Sequence, residues 1–165
     1  MSTAQFTQWL PVSIETVFLF FANPDNLPRI MPPKTGTRLT ELRLIAPAGS
    51  RSTPSLAGVG SEIVTSFRLL PPLPLRARWT ASITEFEWDH HFADVQKSGP
   101  FRRFHHRHEF TAELREGISG TLVRDVIEYE VGIGPLGPWA DKLFVTRKLQ
   151  HAFAYRQAAL RKLLG

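Results

Sequence analysis

Two histidines one residue apart, His106 and His108, lie in the run Phe104-His105-His106-Arg107-His108-Glu109-Phe110. Imidazole titrates near neutrality, so such groups can orient a ligand, ligate a metal or move a proton. In an extended chain alternate side chains share a face. Phe104, His106, His108 and Phe110 therefore form one row, and Arg103, His105, Arg107 and Glu109 the other. The charged row reads as solvated. That leaves two imidazoles on the apolar, inner side of a sheet, and two nearby runs carry carboxylates, Asp94 and Asp125.

Strand register decides whether these groups meet. The turn between the last two strands lies near Ile118. Pairing across it sets even positions of 103–113 against odd positions of 120–132, so Val123, Asp125, Ile127 and Tyr129 share the inner face. Arg124, Glu128 and Glu130 then face outward as ion-pair partners. Across the Gly99-Pro100 turn Asp94 falls opposite His106, and through Trp88-Asp89 the positions Trp79, Ala81 and Ile83 join the same side. The inner surface reads Trp79, Ile83, Phe92, Asp94, Gln96, Phe104, His106, His108, Phe110, Asp125 and Tyr129, an aromatic lining with a polar band.

The elements that must position this band follow from the chain in order. Residues 3–11 alternate in part and stop at a proline, as an edge strand does. Ser13 caps a helix whose buried stripe is Ile14, Val17, Phe18 and Phe21. Asn23-Pro24 starts a second, short helix with Leu27 and Ile30 inward, ended by Met31-Pro32-Pro33. Strands are predicted over 37–45, 61–69, 76–87, 90–97, 103–113 and 120–132. The Ser-, Gly- and Pro-rich stretch 46–60 is a loop, either a lid or disordered. Leu70-Pro71-Pro72-Leu73-Pro74-Leu75 is apolar but proline-broken, and reads either as a cavity-mouth loop or as a turn on the core. After Gly134-Pro135-Leu136-Gly137-Pro138 a long helix runs from about Trp139 to Leu164. Its apolar side is Trp139, Leu143, Leu149, Phe153, Leu160 and Leu164. The order is strand, two short helices, six strands, long helix: an α+β domain spanning 1–165.

Composition sets the outer limits. The 165 residues fit one domain, and 42% apolar with 21% charged residues is ordinary for a globular chain. Without cysteine there is no disulfide, thiolate metal site or thiol nucleophile. No leader pattern or bilayer-length apolar run is visible, so a cytoplasmic location is expected. From Pro138 onward six basic residues (Lys142, Arg147, Lys148, Arg156, Arg161, Lys162) face Asp141 alone, which equals the whole-chain excess of +5. This is read as a solvated helix face. Nucleic-acid binding is not expected, because the aromatics are not interleaved with these cations.

Several of these motifs together carry a family likeness. They are residues 11–18 (Pro-Val-Ser-Ile-Glu-Thr-Val-Phe), Asn23-Pro24-Asp25-Asn26-Leu27, Trp79, Ile83-Thr84-Glu85, Phe92, Asp94, Gln96 and Gly99-Pro100-Phe101. His106, His108, Phe110, residues 120–125, Tyr129 and residues 134–137 complete the set. Over nearly its full length the chain resembles the SRPBCC (START-like, helix-grip) superfamily, nearest its bacterial cyclase/dehydrase-like branch. The resemblance implies a curved antiparallel sheet of about seven strands wrapped around the C-terminal helix. It implies a cavity between them for a hydrophobic small molecule, with Phe153 on the helix side and no metal or organic cofactor. Fold alone does not fix the activity.

Three readings of the polar band compete. His–Asp pairs could brace the sheet. They could orient a carbonyl or hydroxyl in an apolar pocket. Or His106, His108 and Asp125 could act as acid–base groups, as in aromatase/cyclase-type relatives. The expected function is binding of an aromatic, polyketide-like or lipid-like molecule. A cyclase/dehydratase is the alternative, and a lipid-handling module at a membrane surface is the third. A set of His106, His108 and Asp125 matches a two-His, one-carboxylate metal centre, but the expectation here is no metal. His90 and His91 are expected to be exposed beside a turn. Oligomeric state is not legible.

Overall fold

The computed structural model describes residues 1–50, 55–69, 73–132 and 144–165. Seven strands form one antiparallel sheet: β1 (Ser2–Leu10), β2 (Arg38–Arg43), β3 (Glu62–Arg68), β4 (Arg76–Glu87), β5 (His91–Ser98), β6 (Phe101–Arg115) and β7 (Ile118–Val131). Their order across the sheet is β1-β7-β6-β5-β4-β3-β2. Helix α1 (Ile14–Ala22) and two short 3-10 segments (Pro24–Ile30, Pro33–Thr35) carry the chain from one edge strand to the other. Helix α2 (Thr146–Leu164) closes the order, and sheet and helix together are a helix-grip fold.

Local chemistry explains the boundaries. The Ser13 hydroxyl accepts from Thr16 N at the start of α1, and Asn23 Oδ1 accepts from Asp25 N at the next turn. Pro28 inside that turn cannot donate to a helical ladder, so the segment stays 3-10. Register shifts at Thr80/Ala81 and Ile83/Glu85 in β4, and at Phe101/Arg103 in β6, mark bulges that bend strands. Glu116 and Gly117 have φ of 50° and 80° and form a two-residue hairpin turn. The strands therefore run on to Arg115 and Ile118, beyond the wider 115–119 connection that the sequence suggested.

Pairing between β5, β6 and β7 follows the arithmetic above: Asp94 faces His106, and His108 faces Asp125. On the outer side Arg107 bridges Glu85 and Glu109, Arg124 meets Glu109, and Arg102 pairs with Glu130 at 2.9 Å. These pairs are partly exposed and each contributes little, about 0–1 kcal/mol. His90 is exposed, but His91 is not. It is half-buried between Glu85 (3.5 Å) and Glu87 (3.4 Å), because β5 already begins there.

Two apolar clusters fill the space between sheet and helices. One joins Leu10, Val17, Phe18, Phe92, Phe110, Val123 and Leu160. The other joins Ile127, Tyr129 and Phe153, with Phe6 and Phe104 against them. Reciprocal amide bonds, Gln8 to Gln157 O (2.9 Å) and Gln157 to Thr7 O (3.0 Å), fasten β1 to α2.

The described part of the loop 46–60 is docked rather than free. Ala57 is buried and donates to Ala22 O, Gly58 donates to Ile45 O, and Trp88 donates to Ala48 O. Of the apolar segment 70–75, positions 70–72 lie outside the described residues, while Leu73 and Leu75 are exposed. The expected break at 134–138 and the expected helix start at 139–143 also lie outside them. Among the described residues no helix is long and apolar enough to cross a membrane.

Gly120 shows how tightly β1 is seated. A Cβ there would lie 2.4 Å from Leu10 O and 2.5 Å from Trp9 Cζ2. Gly120→Ala is expected to cost about 1–3 kcal/mol through this overpacking, read as a lowered midpoint in urea. An unchanged midpoint would mean that β1 moves aside freely.

Candidate functional site

The polar band lies between the two apolar clusters on three neighbouring elements. Along β6 it occupies His106 and His108 between Phe104 and Phe110. Along β7 it is Asp125 between Val123 and Ile127. Along α2 it is Arg156 between Phe153 and Leu160. Asp125 is the hub. Its Oδ1 lies 3.0 Å from His106 Nε2, 2.6 Å from His108 Nδ1 and 3.5 Å from Arg156 Nη2.

Charge states follow from these contacts. Burial alone would push Asp125 up, but the Arg156 guanidinium and hydrogen bonds from both imidazoles outweigh it and hold the carboxyl well below the usual range. An ionised carboxylate only accepts, so the ring nitrogens facing it carry the hydrogens. His106 thus turns an Nε2–H, and His108 an Nδ1–H, to Asp125. Burial, then the adjacent His106, lowers His108 to about 3, so its ring is neutral. With His108 Nδ1 donating, Arg156 Nη2 beside it directs its own donor to Asp125. Burial raises Asp94, with His106, His105 and Arg156 pulling the other way.

A cavity of about 280 Å³ opens on the inner side of the band. Trp79, Ile83, Phe92, Asp94, Phe104, His106, His108 and Phe153 all line it. The four other residues singled out from the sequence are placed elsewhere. Asp125 stands behind the imidazoles and reaches the cavity only through them. Gln96 folds over the β5–β6 turn, donating to Phe101 O (2.7 Å) and accepting from its N (3.2 Å). Phe110 packs edge-on to Phe18 and Phe21 beneath α1. Tyr129 is buried against Phe101, its hydroxyl 3.4 Å from Thr146 Oγ1 on α2. Phe110 and Tyr129 share the inner face, but α1 and α2 pack against them there.

Arg156 is the residue that sequence reasoning misplaces. The charge pattern assigns it to the solvated basic face, yet it is 7% exposed and lines the cavity. Its guanidinium sits 4.7 Å from the Phe21 ring centroid and 5.3 Å from that of Phe153. Its Nε is buried without a hydrogen-bond partner among the described residues. The available signal is its position three residues after Phe153 and four before Leu160, on the apolar stripe itself. The cavity wall from the elements before β4 is also absent from the sequence reading. Phe20, Leu27 and Met31 from α1 and the 3-10 turn, and Ile63 and Phe67 from β3, complete it.

The sequence matches the family described as "Polyketide cyclase / dehydrase and lipid transport" over residues 10–154. No curated protein matches it. Among solved structures, a protein of Thermus thermophilus superposes with a TM-score of 0.65 at 17% identity, covering 98% of this chain and 95% of that one. A START superfamily protein from Mycobacterium smegmatis gives 0.63 at 14% identity, covering 98% of each. Major latex-like protein 151 of Panax ginseng gives 0.65 at 10% identity, covering 98% and 95%. At these identities the likeness establishes the fold. Family and fold together suggest a protein that binds hydrophobic small molecules. The family match covers most of the chain, and with the helix-grip fold it places this chain in the polyketide cyclase/dehydrase and lipid transport family of the START-like (SRPBCC) superfamily.

Proposed function

We propose that this chain binds a compact, ring-bearing apolar molecule in the cavity between sheet and α2, with one polar group of the ligand turned to the histidine wall. The observation that carries this reading is the asymmetry of the cavity. Its lining is mostly aromatic and aliphatic, with Asn23, Asn26, Thr37 and Thr65 as neutral polar groups, and its ionisable groups, Asp94, His106, His108 and Arg156, stand together. A few convergent polar groups in an apolar cleft orient a ligand rather than merely enclose it. The volume, about 280 Å³, is at the small end for such sites and favours one or two fused rings over a long acyl chain.

The test is native mass spectrometry of the purified protein, followed by titration of the co-purified compound into the stripped protein. Ala81 lines the cavity from β4, where an indole would fill it. Ala81→Trp is expected to weaken binding more than tenfold while the thermal midpoint stays within a few degrees. Undiminished affinity would place the ligand elsewhere and end this reading.

A second reading, acid–base catalysis on the bound molecule, is favoured by one feature. Asp125 takes one nitrogen of each ring, leaving His106 Nδ1 and His108 Nε2 turned toward Asp94 on the cavity wall, within reach of a bound molecule. Incubation with the co-purified compound should then give product with the native chain and none with His106→Ala. A compound recovered unchanged from the native chain would dispose of it.

A further inference from the structure

Three potential ligand atoms meet on the cavity wall. Asp94 Oδ2 stands 4.0 Å from His106 Nδ1 and 3.9 Å from His108 Nε2. One ligand atom from each of the three residues lies within 4.8 Å of the others. The other nitrogen of each ring faces Asp125 on the far side. Two imidazoles and a carboxylate so placed are a ligand set that a divalent transition metal takes up.

We propose that Asp94, His106 and His108 form a binding site for a divalent transition-metal cation, with Asp125 as the outer carboxylate that orients both imidazoles. The donor set, two imidazoles and one carboxylate, suits zinc or iron(II) rather than magnesium or calcium. Metal-bound histidine typically donates its second N–H to a carboxylate, and here one oxygen of Asp125 serves both rings. The charges also agree. Arg156 offsets Asp125, which leaves the charge of Asp94 for the cation. A tetrahedral zinc with bonds of ~2.0–2.2 Å needs donors roughly 3.4 Å apart, so Asp94 has to close by about half an ångström. Three protein donors leave a coordination position open to the cavity, as in catalytic rather than structural zinc sites. The carboxylate of this set is Asp94, not the Asp125 suggested by the sequence, because Asp125 lies behind the rings. The site does not depend on the organic ligand: a cation would bind whether or not the cavity is filled.

A rival set, Glu87, His90 and His91, sits at the β4–β5 turn. It is largely exposed, and both nitrogens of His91 already face Glu85 and Glu87. The experiment is therefore a titration of chelator-treated, full-length protein with cobalt(II) and zinc. The expected result is one equivalent bound, with a visible cobalt spectrum of imidazole–carboxylate type, and displacement of cobalt by zinc. Imidazole ¹⁵N shifts on the unsubstituted chain should move at His106 Nδ1 and His108 Nε2. This readout needs no variant, so it survives if His106→Ala or His108→Ala fails to fold. Asp125→Asn should retain the stoichiometry and bind 10–100-fold more weakly. No binding to folded protein overturns the site. So does binding that moves only the His90 and His91 signals and disappears in a His90→Ala/His91→Ala chain.

Discussion

Arg156→Ala is expected to lower the unfolding free energy by about 3–5 kcal/mol, the usual cost of removing one member of a buried ion pair. Asp125 would keep its two imidazole donors but lose the guanidinium 3.5 Å away, its one cationic partner among the described residues. The packing lost against Phe21 and Phe153 adds to this. For a chain of this length the thermal midpoint should fall by roughly 10 °C. Urea unfolding of four proteins separates charge from packing: the native chain, Arg156→Met, Asp125→Asn and the double variant. The methionine keeps most of the volume between the two rings. If the pair is coupled as its geometry implies, the two single losses together exceed the double by about 1–3 kcal/mol. A change under 1 kcal/mol in Arg156→Ala would mean that water reaches Asp125 and the band is not sealed.

Why this residue escapes the sequence reading is instructive. Period-two spacing puts His106 and His108 on one face, and the turn residues fix the pairing with Asp94 and Asp125. Both signals are local, and both survive in the structure. Arg156 groups with Arg147, Lys148 and Arg161 because charge in a helix usually means solvent. Its stripe position argues otherwise, but only the partner across the core, Asp125, offsets the cost of burying it. That partner lies on a different element, and no local pattern announces it. The same limit explains Gln96, Phe110 and Tyr129. Parity says that a side chain points inward. It does not say whether α1, α2 or open cavity lies above it. Phe20, Leu27 and Met31 show the converse, since a residue that looks like ordinary helix packing lines the cavity wherever sheet and helix diverge.

Phe18→Ala offers the sharpest separation of core from cavity. Phe18 has no exposed surface, and four rings surround it: Phe110 at 5.2 Å, Phe86 at 5.3 Å, and Phe92 and Trp88 at 5.9 Å. Three of these contacts are edge-on or nearly so, the arrangement aromatic quadrupoles favour. A truncated side chain here leaves a void that several rigid neighbours cannot collapse into, so a loss of about 3–5 kcal/mol is expected. Phe153 provides the contrast. It stacks on Phe6 at 4.1 Å but also fronts the cavity, so its removal enlarges an existing space instead of creating one. Phe153→Ala should therefore fall at the lower end of the same range and change ligand affinity markedly. Phe18→Ala should leave the affinity of the folded fraction within about twofold, because the wall between Phe18 and the ligand, formed by Phe21 and Phe92, remains in place. Should Phe18→Ala alter binding more than Phe153→Ala does, the cavity would have to extend beneath α1, and the division into a sealed aromatic core and an open aromatic pocket would fail.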